Sequence, residues 1–364
     1  MHIKISRTNL LTILTRASQF SEARGTVAVL GHALFTTTET GVTSTATTLE
    51  QQITDTIDCE VVSPGSVLVP VSQALDIAKR LPKDATVDIK ATEQRLTIKS
   101  GSYQSHVSRM DADDFPSMSS QDYPCSFTVP SSVLRRCFDR VAFAISTEET
   151  RYYLNGVYIH TDGGKLKFCA TDGHRLALTR IVQPEMTGEF SEGVIIPRKL
   201  VTDISRILDG DATVTVRISQ SRVMFDFGYC RVEGKLVEGT FPEYDRVIPR
   251  HNENTVTIPS RMLSDTVMRV ATVNPLKSKP VKIEIAEGSV NISCSHDGNE
   301  ASDVISTEYE NKPLTIGFQA RYIADVLAGF VGDSVWLLAD GSAPAVIKDA
   351  GDEDVLFVLM PMRI

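Results

Sequence analysis

Three segments of the chain place apolar residues at the three- and four-residue spacing of an amphipathic helix. They are Ile5–Ser21, Val129–Ser146 and Ile258–Asn274. In the second segment Val133, Cys137 and Val141 fall on one helical face, and a proline followed by two serines is a typical helix start. The pattern therefore predicts the same helix once in each third of the chain.

A second helix start, followed by an alternating strand, recurs after each of these segments. These helices begin near Val69, Ile196 and Phe318, and a short turn leads from each into a strand. Three repeats, each made of two similar half-units, account for this order. Further strands are predicted at Thr86–Ile98, Gly156–His160, Lys165–Ala170, Arg175–Ile181 and Ser289–Cys294.

The ends of the repeats share a dipeptide in which proline follows a large apolar residue. Phe115-Pro116, Phe241-Pro242 and Met360-Pro361 stand 126 and 119 residues apart. The stretches 111–124 and 241–254 are rich in Asp, Ser, Pro and Asn, as linkers tend to be. We therefore predict an α+β fold of three similar domains, each with two helices packed on antiparallel sheets. Their predicted bounds are 1–122, 126–249 and 254–364.

Charge is divided between the predicted helices and the rest of the chain. The formal net charge is -9, yet the six predicted helical segments contain 13 basic and only five acidic residues. In a single helix such basic residues usually form a solvated face. An excess repeated over five of six segments, in a chain that is acidic elsewhere, indicates a shared surface for a polyanion, for which nucleic acid is the obvious candidate.

Helix dimensions indicate how such a surface would be arranged around a duplex. Six helices of about 10 Å diameter, side by side in a ring, leave a hole roughly 9 Å wide. That is narrower than the major groove alone, which measures about 12 Å. Twelve helices leave roughly 28 Å by the same estimate. Because two chains supply twelve helices, we predict a closed homodimer.

No motif in the chain predicts catalysis, a cofactor or a metal site. The sequence has no phosphate-binding P-loop, H-E-x-x-H or G-x-S-x-G motif, and its six cysteines include no C-x-x-C pair. We expect no cofactor, no metal and reduced, mostly buried thiols. No apolar run approaches a membrane span and no signal peptide is evident, so we expect no membrane partner and a cytoplasmic location.

The stretch Asp172-Gly173-His174 invites a catalytic interpretation, with the histidine as base and the aspartate as its orienting group. Asp-Gly between two apolar runs is, however, a typical hairpin signal, and no nucleophile motif accompanies it. We therefore interpret it as a turn and predict a non-enzyme.

Five stretches of the sequence carry a family resemblance. They are Arg151–Gly156, Ala170–Ala177, Ile196–Lys199, Lys235–Tyr244 and Met360–Arg363. Together they resemble the bacterial DNA polymerase III beta subunit, or sliding clamp, family, and the resemblance covers the whole chain. It implies a DNA clamp fold, a head-to-tail dimeric ring with helices lining the hole around double-stranded DNA, and a non-catalytic processivity factor that a separate ATP-using clamp loader places on DNA.

The resemblance also implies a hydrophobic pocket between the second and third repeats. It would receive short peptide motifs from the DNA polymerase III alpha subunit, the clamp loader and other replication and repair proteins. Apolar wells and cationic or imidazole side chains suit that role. The implied pocket residues are Leu154, Thr171, Gly173, His174, Arg175, Leu176, Pro242, Arg246, Val247, Val358, Met360 and Met362.

DNA contacts and a subunit interface follow from the same resemblance. Arginine, lysine and tyrosine suit phosphate contact and stacking. The implied DNA-binding residues are Arg24, Arg151, Tyr152, Tyr153 and Lys199. The implied dimer-interface residues are Ser105, Val107, Thr272 and Val273. Glu148 stands where relatives usually have an uncharged polar residue.

Two other functions fit the sequence. Three repeats also form a scaffold that binds protein peptides without encircling DNA, and a strictly monomeric mass would favour it. A DNA-binding hydrolase that uses Asp172 and His174 is the third hypothesis, and an intrinsic nuclease activity lost in His174→Ala would favour it.

Overall fold

One element order recurs along the chain. The structure, a computed structural model, describes residues 1–22, 25–108, 110–116, 118–119, 121–188, 190, 192–208, 210 and 212–364. In these residues a strand, a helix and three further antiparallel strands follow one another six times, with a short extra strand in two places. This is the order of half-units that the sequence predicts. The helices are α1 (Arg7–Ala17), α2 (Val71–Arg80), α3 (Ser131–Val141), α4 (Arg198–Ile207), α5 (Ser260–Val270) and α6 (Ala320–Leu327).

The strands fall into three similar sets. The first set is β1 (His2–Ser6), β2 (His32–Thr37), β3 (Gly41–Thr47), β4 (Gln51–Asp58), β5 (Glu60–Ser63), β6 (Ser66–Pro70), β7 (Thr86–Ala91), β8 (Arg95–Ser100) and β9 (Tyr103–Ser108). The second is β10 (Cys125–Pro130), β11 (Gly156–Asp162), β12 (Lys165–Thr171), β13 (Arg175–Val182), β14 (Met186–Thr187), β15 (Val194–Pro197), β16 (Thr213–Ile218), β17 (Arg222–Asp226) and β18 (Cys230–Lys235). The third is β19 (Asn254–Pro259), β20 (Pro280–Ala286), β21 (Ser289–His296), β22 (Asn299–Ser306), β23 (Leu314–Gln319), β24 (Asp333–Leu338), β25 (Ala345–Asp349) and β26 (Asp352–Leu359).

The first helix of each repeat is shorter than its hydrophobic pattern. The predicted segment 129–146 becomes a helix over Ser131–Val141 followed by a 3-10 turn at Ala142–Ala144. The preceding strand runs to Pro130, so the helix begins only where that strand ends. Cys137 and Val141 are nevertheless both buried, as their spacing predicts.

One predicted strand is wrong. The stretch 86–98 was expected to be continuous, but it is two strands, β7 and β8, joined by a tight turn. In that turn the backbone N–H of Thr92 donates to the carbonyl of Arg95, and the Thr92 hydroxyl donates to the same carbonyl at 3.2 Å. The buried apolar residues are Val87 and Ile89 before the turn and Leu96 and Ile98 after it, so the two-residue alternation shifts by one position there. This break in the alternation is the sequence signal for the turn.

By internal contacts the chain divides into two compact units. The first comprises Met1–Ser132, Glu185–Glu189 and Arg206–Leu236. It contains a five-stranded sheet of order β5-β1-β7-β8-β9 and a nine-stranded sheet of order β14-β10-β16-β17-β18-β4-β3-β2-β6. Helices α1 and α2 pack against each other, and α1 also packs on β1, β3 and β4.

The second compact unit comprises Val133–Pro184, Phe190–Ser205 and Val237–Ile364. It contains an eight-stranded sheet of order β15-β11-β12-β13-β26-β25-β24-β19 and a four-stranded sheet of order β22-β21-β20-β23. Helices α5 and α6 pack against each other. Phe138 and Phe168 meet edge to face with ring centroids 5.9 Å apart, and both rings are fully buried. Burying a side chain of this size contributes about 1.5–3 kcal/mol.

Both long sheets are continuous across consecutive repeats. In the first compact unit β4 pairs with β18, with Asp55 opposite Cys230. In the second β13 pairs with β26, with Leu176 opposite Val358. In both cases the last strand of one repeat's first half-unit pairs with the last strand of the next repeat's second half-unit. The middle repeat is therefore shared between the two compact units.

The described residues show no transmembrane or metal-binding feature. None of their helices is long and apolar enough to cross a membrane, and no three of their His, Cys, Asp or Glu side chains group as metal ligands. The six cysteines are free thiols, and all except the half-buried Cys59 are buried.

The Arg7 side chain closes the end of α2. Its Nε donates to the carbonyl oxygen of Ala78 at 2.8 Å, and its Nη2 donates to that of Lys79 at 3.1 Å. These carbonyls belong to the last turn of a helix, where no intrahelical donor is available. The arginine is thus bound within the fold, although its charge counts toward the basic helices in the sequence.

Replacing Arg7 with Ala should lower the free energy of unfolding of the first compact unit by about 1–3 kcal/mol, because two charge-assisted hydrogen bonds to helix carbonyls are lost. Urea denaturation monitored by circular dichroism measures this. Lys83→Ala, which removes an exposed cation from the turn after α2, is the control. Equal midpoints for the two variants would contradict the capping role.

Candidate functional site

The turn between β12 and β13 is held by its own side chains. The Thr171 hydroxyl donates to the carbonyl of Arg175 at 2.7 Å and accepts the Gly173 N–H at 3.1 Å. Asp172 Oδ1 accepts the backbone N–H groups of His174 at 2.9 Å and Arg175 at 3.0 Å. Gly173 has a φ of +88°, which favours glycine. The predicted hairpin turn is confirmed, and its aspartate orients backbone groups.

Arg175 is anchored beneath this turn. Its Nε donates to Asp172 at 3.0 Å, its Nη1 to Asp325 at 2.7 Å, and its Nη2 to the carbonyl of Phe143 at 2.6 Å. The guanidinium carbon lies 4.4 Å from the centre of the Tyr322 ring, within cation–π range. With only 11% of the side chain exposed, Arg175 fixes the turn to α6 and to the end of the preceding helical segment.

His174 and the C-terminal segment lie together at the surface. The His174 carbonyl accepts the N–H of Met360 at 2.9 Å. Its exposed imidazole stacks on Tyr322, with centroids 6.4 Å apart and planes at 25°. The Met360 side chain is 43% exposed, and the N–H of Met362 donates to Gly317 at 2.8 Å. An imidazole, an aromatic ring and a thioether thus border one exposed surface.

Below this surface is a cluster of buried apolar side chains drawn from β12, β13, β15, β26, the 241–244 segment and the end of the 3-10 segment Glu149–Leu154. Tyr158 stacks on Phe241 with ring centroids 4.8 Å apart, and on His160 at 4.9 Å. The buried cluster and these stacked rings form a close-packed floor beneath the exposed surface. The buried members are Leu154, Cys169, Leu176, Leu178, Ile195, Phe241, Tyr244 and Val358.

One side of the site is formed by the 3-10 turn Tyr244–Val247. Val247 is 57% exposed, and Pro242 and Arg246 are also exposed. Arg246 pairs with Glu243, three residues earlier. The twelve predicted pocket residues therefore include a buried floor, a braced turn and an exposed rim, all in the second compact unit.

Comparison with known proteins places the whole chain in one family. The N-terminal, central and C-terminal domains of the DNA polymerase III beta subunit match residues 1–119, 128–243 and 245–363. The chain belongs to the DNA polymerase III beta subunit family. It is therefore a sliding clamp, the non-catalytic processivity factor of that polymerase.

Individual relatives agree with this assignment. The chain is 35% identical to the Beta sliding clamp of Caulobacter vibrioides and 29% identical to that of Escherichia coli K12, with 100% of both chains covered in each case. It is 34% identical to a DnaN sliding clamp from Bartonella birtlesii, solved bound to griselimycin, with a TM-score of 0.96 over 100% of both chains. A structure from Pseudomonas aeruginosa, also bound to griselimycin, gives 0.96 at 32% identity. The predicted α+β clamp fold is confirmed.

The clamp residues proposed for DNA contact differ in their surroundings. They lie partly in the 3-10 segment Glu149–Leu154, which is kinked at Arg151. Tyr152 is 53% exposed and meets Tyr153 edge to face at 5.8 Å. Arg151 is bound to neighbouring protein groups, Glu148 and the carbonyl of Asp172. Lys199 is 63% exposed and pairs with Asp203 one turn along α4. Arg24 lies outside the described residues.

The predicted interface residues lie on one sheet edge and in a 3-10 turn. Ser105 and Val107 are half-buried on β9, the last strand of the five-stranded sheet. Thr272 is exposed and Val273 half-buried in a 3-10 turn after α5. The structure adds a residue that the sequence did not single out, since Val304 on β22 is 59% exposed at the edge of the four-stranded sheet.

Several helix cations are paired along their own helix. Arg135 lies 3.8 Å from Asp139, Arg261 3.9 Å from Asp265, and Arg321 3.7 Å from Asp325. Exposed pairs of this kind contribute only about 0.3–0.5 kcal/mol, so the cations remain available to a stronger anion. The basic helix surface is therefore less positive than a count of its arginines and lysines indicates.

Two further side chains at this site are not evident from the sequence. Tyr322 and Asp325 lie on α6, where both contact Arg175, and the Tyr322 ring also stacks on His174. Their spacing of three residues places them on one helix face. That spacing is a weak signal, because it does not show which surface the helix face meets.

The floor of the site should be sensitive to acid. Burial lowers the pKa of His160 and raises that of Tyr244, and His160 Nε2 lies 2.8 Å from the Tyr244 hydroxyl. A histidine whose folded pKa lies below its unfolded value of about 6.5 opposes folding when protonated. The stability it supports is complete above that pH and decreases as the pH falls toward the folded pKa.

We expect the Tm to fall less between pH 7.5 and 5.5 in His160→Gln than in the wild type, because glutamine keeps a polar group at the Tyr244 hydroxyl but does not titrate. Differential scanning calorimetry measures this. His251→Gln, a change at an exposed histidine, should behave as the wild type. An unchanged pH dependence in His160→Gln would contradict the account.

Proposed function

We propose that two copies of the chain close head to tail into a ring around double-stranded DNA. The ring tethers DNA polymerase III in the bacterial cytoplasm, and the pocket described above receives peptide segments of the polymerase alpha subunit, the clamp loader, and other replication and repair proteins. Membership of the sliding clamp family supports the tethering role. The ring, the particular partners and the residue roles are the proposal.

The proposed ring is supported by the way in which strands pair between consecutive repeats. The last strand of a first half-unit, β4 or β13, pairs with the last strand of the next second half-unit, β18 or β26. The corresponding strands at the two ends of the series are β22, the last strand of the third repeat's first half-unit, and β9, the last strand of the first repeat's second half-unit. Each is an edge strand with one neighbour in the described sheets. Pairing β22 of one copy with β9 of another continues this pattern, and doing so twice closes six repeats.

The chemistry of these edges supports their pairing. Long exposed edge strands are normally protected, because their free N–H and C=O groups attract other strands. Val304 on β22 is 59% exposed, and Leu276, close to the end of α5, is 53% exposed. Beside β9, a cleft of about 820 Å³ has Ile77 and Tyr103 in its lining. Apolar groups on both edges are suited to mutual burial, whereas a monomeric scaffold would leave them in water.

DNA contact is expected to be weak and non-specific. We assign it to Arg24, Arg151, Tyr152, Tyr153 and Lys199, with the exposed arginines of the helices as diffuse support. Exposed arginine and lysine contact phosphates, and exposed tyrosine stacks on bases, without reading sequence. A ring that slides requires such contacts to remain weak, and their strength should decrease steeply with salt.

The pocket combines a firm floor with adaptable walls. Leu176 and Val358 pack in the buried cluster, Met360 and Val247 present exposed apolar surface, and His174 offers a ring nitrogen beside them. Methionine adapts to differently shaped apolar partners, which suits a site shared by several proteins. Two relatives were solved bound to griselimycin, and we propose that griselimycin occupies this pocket here as well.

Retention on DNA tests the ring. Loaded by a bacterial clamp loader and ATP onto a nicked circular plasmid, the protein should elute with the plasmid in gel filtration and should be lost after linearisation, because a closed ring slides off free ends. A mutant loader that does not hydrolyse ATP is the control. Equal retention on circular and linear DNA would contradict encirclement.

Changing His174 to Ala should weaken griselimycin binding about tenfold, a loss of about 1.4 kcal/mol, because it removes the ring that stacks on Tyr322 at the pocket surface. Isothermal titration calorimetry measures the affinity. Retention on circular DNA should be unchanged. Val182→Ala, which shortens a residue 74% exposed at the end of β13, is the matched control. An affinity equal to that of the wild type would exclude this surface as the binding site.

A further inference from the structure

Arg151 joins the segment proposed for DNA contact to the turn of the peptide pocket. Its Nε and Nη2 each lie 2.8 Å from Glu148 Oε2. The same Nη2 donates to the backbone carbonyl of Asp172 at 3.2 Å. The arginine therefore bridges the 149–154 segment and the turn that forms one wall of the pocket.

The guanidinium of Arg151 also occupies the space above Gly173. A Cβ at that glycine would lie 2.6 Å from Arg151 Nη1, which shows how closely the arginine covers the turn. Asp172 is consequently held from two sides, with its carbonyl bound by Arg151 and its carboxylate by Arg175 at 3.0 Å. Removal of Arg151 leaves the turn with one of these two supports.

Glu148 determines which partner Arg151 can take. Its carboxylate is 54% exposed, and Arg151 is 33% exposed, so the pair is accessible to a phosphate. A phosphate that binds the Nε and Nη2 of Arg151 must compete with Glu148 and Asp172 for the same N–H groups. The next residue, Tyr152, is 53% exposed and belongs to the surface proposed for DNA contact. The competition for Arg151 therefore takes place at that surface.

We infer that Glu148 is a positioning residue that holds Arg151 on the pocket turn, so that DNA and the pocket turn compete for the same guanidinium. This inference rests on the proposed function. DNA that takes Arg151 removes a support from the 172–173 turn and weakens pocket binding. By linkage, a ligand that requires the braced turn weakens the DNA contact by the same factor.

The test compares the griselimycin affinity of the free dimer with that of the dimer loaded on a nicked circular plasmid. In the wild type we expect binding about fivefold weaker on DNA, at the lower end of typical coupling between sites. In Arg151→Ala the two affinities should be equal, although both are lower than that of the free wild type, since the turn has lost its support in both states. Equal affinities in the wild type, or coupling that persists in Arg151→Ala, would overturn the inference.

Glu148→Gln tests the positioning role without removing the arginine. We expect tighter binding of the clamp to a short linear duplex at raised salt, because topology does not retain the clamp there, and a lower griselimycin affinity of the free dimer. Glu149→Gln is the matched control, because it removes the same charge from the adjacent exposed residue. If the two variants behaved identically, the loss of one negative charge would explain the effect, and the positioning role of Glu148 would be overturned. Failure of the wild type to remain on the circle would overturn the ring as well, whereas retention without coupling would overturn this inference alone.

Discussion

One antiparallel pairing is the interaction on which the rest of the structure depends: the last strand of one repeat's first half-unit pairs with the last strand of the next repeat's second half-unit. It makes β4 and β18 neighbours in one sheet and β13 and β26 neighbours in another. Each repeat alone would expose two sheet edges, and pairing removes those edges where repeats meet. The unpaired edges β9 and β22 are the consequence at the two ends of the series, and the proposed dimer removes them in the same way.

The proposed peptide pocket follows from the second of these junctions. Pairing of β13 with β26 places Leu176 opposite Val358 and ties the His174 carbonyl to Met360. The turn before β13 therefore lies beside the C-terminal segment, and Arg175 fixes this arrangement through Asp325 on α6. The equivalent turn in the first repeat shares the threonine geometry, since the Thr47 hydroxyl donates to the carbonyl of Gln51 at 3.1 Å. Gln51 has no guanidinium with which to anchor a neighbouring helix.

Much of the fold was predictable, because it is encoded locally and three times over. Helical periodicity located the helices, and Asp172-Gly173 specified its turn through a side-chain acceptor and a positive φ. The roles of individual charged residues were not predictable from spacing. Arg7 caps α2, and Arg175 is buried against two aspartates. These contacts join residues far apart in sequence, whereas periodicity reports only which face of its own element a residue occupies.

Hydrogen exchange of the two terminal edge strands tests the central claim most directly. The backbone amides of Tyr103–Ser108 and Asn299–Ser306 should be protected at micromolar protein concentration, and both sets should lose protection together on dilution, because each strand supplies the other's hydrogen-bond partners in the dimer. Amides of β4 and β18, which pair within the chain, should not change. Rapid exchange of outward-facing amides on β9 and β22 at every concentration would contradict the proposed junction.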